Sequence, residues 1–375
     1  MNGTRSLGTG LVILFFLLFL SSISAIKPTD PKWELLTAFA PAPTGYEHLL
    51  TVSLRCMIGE EKTFGQDNLG SLSLDIGSGK PDLAIVTPID EPGFFVSGIR
   101  TDGYLSVDAA GPLPHHLMIS MFAGHSLSIW TESGPLPAVM ILPSLHTLTP
   151  ETRTRWENPL EFDSALIDVG ASSPEEIKGL GISMLDAVAP VTRVISLAGG
   201  KRTGWCLAQK SCIVISAQTA RHIQSTDNTP AVHFSWIAQS RLSRRREGKP
   251  VSLGIEQACR RIRSQRIVML GQIGEDRENN RFLLGKGPVV VAAGRDIEEN
   301  RSAVDTMARK DKIACQWLEN WDSPLLTPWL SDNRQIVVLL LPAAFSQTPA
   351  ETVDEKDIAN LALLLQRIME TWRTL

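Results

Sequence analysis

Apolar residues in this chain cluster in short runs, and the most abruptly ended one covers 83–89 (Leu-Ala-Ile-Val-Thr-Pro-Ile), stopping at Asp90, Glu91, Pro92 and Gly93. A run of this length bounded by turn residues predicts a buried strand. In an open α/β sheet the ligand crevice lies just beyond the strands' carboxyl ends, so Asp90 and Glu91 stand where a metal or catalytic group would be placed. The plainer reading is that the acidic pair caps a turn through local hydrogen bonds.

The same patterning divides the rest of the chain. A short helix is predicted over 33–39, ending at Pro41, and Thr44 is expected to cap a following helix that carries Leu49, Leu50, Val52 and Leu54. A turn at 67–70, a strand over 72–76 and a second turn at 77–80 precede the abrupt strand. From about 97 to 189 the apolar runs are broken every few residues by Gly, Pro, Asp or Ser, which predicts a small all-β unit with strands over 103–107, 117–122, 126–130 and 139–142. Near its end, Ser173-Pro174 with Glu176 three residues after the serine marks a helix start.

From Val191 onward, predicted strands over 232–236, 267–270, 289–292 and 336–341 alternate with predicted helices over 205–217, 253–265, 303–318 and 357–372. The last helix carries the apolar stripe Ile358, Leu361, Leu364 or Leu365, Ile368 and Trp372. Such alternation predicts an α/β fold, a mixed sheet with helices on both faces, into which the small β unit is inserted. The expected domains are 28–96 together with 190–375, and the insertion 97–189.

Composition narrows the class. With 375 residues, 43% hydrophobic and 20% charged, the chain has enough apolar material for real cores and is not disordered. A net charge of −4 supplies no global field for phosphate backbones, so nucleic acid is not an expected partner. At the N-terminus, Arg5 precedes the apolar run 11–20 and the small, polar Ser21-Ser22-Ile23-Ser24-Ala25, the three-part form of a secretory signal over 1–25. Export to the periplasm or the exterior is therefore expected. A membrane attachment would follow only if this segment stayed uncleaved as an anchor. The cysteines, Cys56, Cys206, Cys212, Cys259 and Cys315, are odd in number and never in Cys-x-x-Cys spacing, which argues against a zinc ribbon or a dense disulfide framework. Cys206 and Cys212 are expected to be core thiols.

Several segments together resemble the tetrahedral (TET) aminopeptidases, the dinuclear-metal glutamyl aminopeptidases sometimes labelled endoglucanase M. They are Ala40-Pro41-Ala42-Pro43-Thr44-Gly45-Tyr46-Glu47, Asp67-Asn68-Leu69-Gly70, Ile89-Asp90-Glu91-Pro92-Gly93-Phe94 and Leu148-Thr149-Pro150-Glu151. The most specific is Leu166-Ile167-Asp168-Val169-Gly170-Ala171-Ser172-Ser173-Pro174-Glu175-Glu176, and Lys286-Gly287-Pro288 and Pro349-Ala350-Glu351-Thr352-Val353-Asp354 follow in order. The resemblance implies a metallopeptidase-like α/β domain with an inserted β-barrel-like dimerisation domain, and relatives that form large hollow oligomers.

It also implies a site that this chain does not reproduce. A dinuclear peptidase needs ligands fixing two cations about 3.5–4 Å apart, a bridging carboxylate, and a glutamate that takes a proton from the metal-bound water. In the alignment by resemblance, the first histidine ligand falls on Pro88, and Asp90, a supporting position behind the ligands, is kept. The bridging aspartate falls on Gly204, within Gly200-Lys201-Arg202-Thr203-Gly204. The glutamate base falls on Ala238 and the ligand after it on Gln239. A later aspartate falls near Gln272 and the last histidine on Gln347. Alanine cannot accept a proton and glutamine is not a base.

No other pattern supplies the chemistry. Among His48, His115, His116, His125, His146, His222 and His233 the sole adjacent pair is His115-His116, whose side chains on a strand would point to opposite faces, and His233 is expected as a buried imidazole on a core strand. Gly199-Gly200-Lys201-Arg202-Thr203-Gly204 lacks phosphate-loop spacing, and there is no Gly-x-Ser-x-Gly elbow. The basic run Arg241-Leu242-Ser243-Arg244-Arg245-Arg246 reads as a solvated face, or as a docking surface for an acidic partner. The expectation is an exported, catalytically inactive aminopeptidase homologue acting as a binding or assembly subunit. Its expected partner is itself, through the insertion, or an active paralogue. The alternative is an active hydrolase with a rebuilt or single-metal zinc or cobalt site, drawing on Asp90, Glu91 and Lys201.

Overall fold

A computed structural model describes residues 40–113, 117–141, 146, 149–151, 165–224 and 230–374. The N-terminal signal-like segment, the helix expected over 33–39, and His115-His116 lie outside the described residues.

The abrupt apolar run is the heart of an eight-stranded sheet. In spatial order its strands are Gly65–Gln66, Leu72–Ile76, Pro230–Ile237, Ser78–Pro88, Arg266–Gly274, Gln335–Ala343, Val289–Gly294 and Gln316–Trp317. The four central strands, Pro230–Ile237 through Gln335–Ala343, run parallel to one another. Leu72–Ile76 and Val289–Gly294 pair antiparallel on either side of them.

Period-2 alternation sends the side chains of these strands into two separate cores. Leu83, Ile85, Val268, Leu270, Val337, Leu339 and Leu341 pack under the helices Leu207–Gln224 and Glu355–Thr374. Ala84, Val86, Ile267, Met269, Ile336, Val338 and Leu340 face the other way, onto the helix Leu253–Arg261 and Trp329. Burial on both faces is why these strands read as unbroken apolar runs rather than alternating ones.

The β unit is a closed six-stranded barrel, in the order Gly93–Ile99, Leu105–Ala110, Leu166–Asp168, Gly134–Ile141, Ser126–Thr131 and Ala187–Pro190, the last pairing back to the first. Its core also takes in Trp205 and Cys206, from the chain just ahead of the helix Leu207–Gln224. The helix start at Ser173 is as expected: its hydroxyl accepts the Glu176 N–H, and Pro174 occupies the first turn.

Four expectations are corrected. The segment 117–122 is not a strand; Met118–Phe122 is a short helix, burying Met118, Ile119 and Phe122 at the i, i+1, i+4 spacing that a single turn presents to one side. Thr44 does not cap the helix His48–Ile58, because Glu47 holds that position and the Thr44 hydroxyl donates instead to Asp90. The helix expected over 303–318 is Ile297–Lys310, with Glu298 and Glu299 in its first turn and Arg309 and Lys310 in its last, charges that suit the helix dipole. His233 is only partly buried and its Nδ1 faces the Asp75 carboxylate on the neighbouring strand. All five cysteines are free, and Cys206 and Cys212 are buried.

Candidate functional site

The parallel strands end level with one another: Ile237 pairs with Pro88, while Gln272 pairs with Leu341 two strands away. Just past these ends lies a cleft of about 320 Å³, the crevice an open α/β sheet offers. Pro88, Asp90, Gln272 and Gln347 line it together, as do Gln209, Ser240 and Arg241. Cys212, Leu270, Trp321, Pro324 and Leu325 form its apolar walls. Residues up to 259 positions apart in sequence, Pro88 and Gln347, thus meet in one place.

Asp90 is fully buried and its carboxylate is spoken for. One oxygen accepts the Ser240 N–H at 2.8 Å and the Ser240 hydroxyl; the other accepts the Thr44 hydroxyl at 3.0 Å and the Arg241 N–H at 3.0 Å. Its backbone carbonyl accepts Gln209 Nε2 at 2.6 Å. Asp90 therefore clamps three segments rather than offering a lone pair to the cleft.

Glu91 forms a buried ion pair with Lys210, both side chains 4% exposed, and its second oxygen accepts the Ala42 N–H at 3.1 Å. Glu47 accepts N–H groups from Gly45 and Gln239, and burial together with the Asp90 charge pushes its carboxyl up to about 7. Glu351, also fully buried, accepts the N–H of Ala208 at the start of the helix Leu207–Gln224 and that of Gln347; burial raises its pKa. These carboxylates hold the strand-end loops together. Burial pushes the Cys212 thiol up to about 12, so it has no thiolate character.

The remaining positions singled out in the sequence do not join the cleft. Gln239 adopts a left-handed backbone, φ 51°, and turns its amide to the Leu69 carbonyl at 3.2 Å. Ala238 is buried, its N–H donating to the Ser71 hydroxyl. Gly204 lies on a second cavity of about 300 Å³, beside Trp205 and His125. A Cβ on Gly204 would stand 2.3 Å from the Arg193 carbonyl oxygen, so the backbone here leaves no room for a side chain. Lys201 reaches Asp354 at 3.7 Å, away from the cleft.

Two residues of the site were not legible as such. Lys210 is a lone cation on an otherwise apolar helix face, a signal that a buried acid must meet it. Arg241, first of the basic run, does not join the solvated face: its Nη2 reaches Gln347 Oε1 at 3.3 Å and the Pro112 carbonyl at 3.4 Å. Its Nε is buried without a hydrogen-bond partner among the described residues, as is Gln272 Oε1. The rest of the run is a surface hairpin, Ser243–Arg246 with Lys249–Ser252, whose Arg244 and Arg246 surround Glu256.

Comparison with known proteins places this geometry. The family model for M42 glutamyl aminopeptidase matches residues 70–240. A lysyl aminopeptidase of Pyrococcus furiosus is 25% identical over 355 residues, covering 90% of this chain and 96% of the relative. Among solved structures, the Pyrococcus horikoshii TET1 peptidase superposes with a TM-score of 0.74 at 20% identity, over 89% of this chain and 98% of that one. An aminopeptidase from the archaeon Desulfurococcus kamchatkensis gives 0.73 at 19% identity, over 90% and 94%. By sequence pattern over residues 70–240 and by fold over most of its length, this chain is similar to the M42 glutamyl aminopeptidases.

Proposed function

We propose that this chain is an exported, catalytically inactive member of the aminopeptidase group that keeps the fold and a self-association surface and serves as a binding or assembly subunit. The observation that carries the reading is the chemistry of the strand-end cleft. Where a dinuclear site would need anionic and imidazole ligands, the cleft presents proline, neutral amides and a guanidinium, and its one carboxylate already accepts four hydrogen bonds. Two divalent cations held about 3.5–4 Å apart need a bridging carboxylate, and position 204 has no space for one. The fixed positive charge of Arg241 adds repulsion. The residues present do not fit a pair of divalent metal ions.

Export is supported by the charged, apolar and small-residue order of the first 25 positions. Self-association is supported by a relative, the TET1 peptidase that can assemble into a tetrahedron or a large octahedral shell, and by Leu180, Met184 and Leu185 exposed near the barrel. The test is the metal content of the purified chain after incubation with excess zinc or cobalt and desalting, run alongside aminoacyl and peptide turnover. The expected result is metal near zero per chain and no turnover. One or two equivalents with turnover would instead establish the second reading, an active metal-dependent hydrolase, which the aminopeptidase activity named for the relatives favours.

A further inference from the structure

Resting on the reading of the cleft as free of metal, we propose that it is a binding site for the α-carboxylate of a small amino acid or of a peptide's C-terminus, with Arg241 as the anion anchor. Among the described residues the buried Arg241 Nε–H has no acceptor and the guanidinium makes no ion pair with a carboxylate. A buried donor on a cation gains most from an anionic acceptor, in a charge-assisted hydrogen bond. The Nη2 contacts to Gln347 and the Pro112 carbonyl hold the guanidinium from one side.

Gln272 selects among anions. Its buried Oε1 is an acceptor with no donor among the described residues, in the same cleft as the Arg241 N–H. A ligand that carries a donor as well as an anionic group would satisfy both. An α-amino acid or a peptide end supplies both, an N–H and a carboxylate on one Cα; a phosphodiester or a fatty acid supplies only the anion. A single cation suits a single charge, and the buried Asp90 carboxylate nearby disfavours a doubly charged group. The walls of Leu270, Leu325 and Trp321 call for an apolar side chain, and a volume of about 320 Å³ limits the ligand to one or two residues.

The experiment is isothermal titration of the full-length protein, with a chelator present, using glycyl-L-leucine, free L-leucine and glycyl-L-leucinamide as probes. Saturable binding of at least one carboxylate probe is expected, with the amide bound at least tenfold more weakly. Arg241→Gln should abolish that preference while leaving the thermal midpoint within the scatter of the wild type. Gln272→Met should weaken both dipeptide probes alike and keep the preference for the carboxylate. Free leucine binding as well as the dipeptide assigns an amino-acid site, and the reverse order a peptide end. Equal affinity for acid and amide, or no binding at 10 mM by folded protein, overturns the proposal. Metal content and turnover measured on the same preparation before the chelator is added separate the two levels: bound zinc with cleavage sinks the parent reading, whereas a metal-free chain without carboxylate preference sinks this inference alone.

Discussion

The Lys210–Glu91 pair gives the sharpest test of how the cleft is held together. Both side chains are 4% exposed, so neither charge can be rescued by water if its partner is lost. Lys210→Met keeps the stem's volume and removes the ammonium, leaving a carboxylate buried beside the strand end with only the Ala42 N–H to stabilise it. Breaking a buried pair in this way costs about 3–5 kcal/mol, far more than the ~0–1 kcal/mol of a surface pair. Adding Glu91→Gln removes the stranded charge while Gln can still accept the Ala42 N–H. The double variant should therefore lose only about 1–2 kcal/mol, less than Lys210→Met alone. Urea denaturation of the wild type, both single variants and the double variant measures this coupling directly. A loss under about 1 kcal/mol for Lys210→Met, or a double variant costing the sum of the singles, would refute the assignment of a desolvated, mutually dependent pair.

Two further outcomes follow from the same region. Glu47 and Asp357 have carboxyls raised to about 7 and about 6 mainly by burial, so the folded chain holds their protons above the ordinary carboxylate range. The stability they confer is complete below about pH 4 and is lost as pH climbs to about 7, by roughly 3 kcal/mol for Glu47. The difference in unfolding free energy between wild type and Glu47→Gln should accordingly shift in the variant's favour between pH 5 and pH 8; a difference independent of pH would contradict it. Gly204→Asp, which places a carboxylate where the resemblance puts the bridging ligand, should lower the thermal midpoint because its Cβ would meet the Arg193 carbonyl at 2.3 Å, and should hold no zinc. A stable, zinc-loaded variant would show that the backbone can yield there.

How much could be read in advance follows from the range of the forces involved. The strands around Val86, Met269 and Val338 announce themselves because burial on both faces forces every residue to be apolar, a property of one short window. The helix at Ser173 was legible for the same reason: capping box and proline act within four residues. Met118–Phe122 was misread because one turn of helix and a short strand have the same apolar content. The site was only half legible. That Pro88, Gln272 and Gln347 should meet came from the resemblance. That Asp90 is saturated, that Glu91 is neutralised from 119 residues away, and that Arg241 turns inward depend on loops brought together by the finished sheet. Apart from the lone cation Lys210 on its apolar helix face, no local pattern encodes such contacts.

Trp205 and Cys206 sit in the barrel's core, with the indole edge-on to Phe122 at 4.8 Å, yet they belong to the chain that opens the helix Leu207–Gln224. That helix carries Gln209 and Lys210 to the strand ends. The insertion is therefore not an ornament that could be trimmed or exchanged at will: it is keyed into the cleft's own scaffold by a wedge of two residues. Six consecutive positions, Trp205 to Lys210, span the distance from the barrel's core to the buried acids at the strand ends, so a shift of the barrel is handed to the cleft by one stiff helix start rather than by a slack linker.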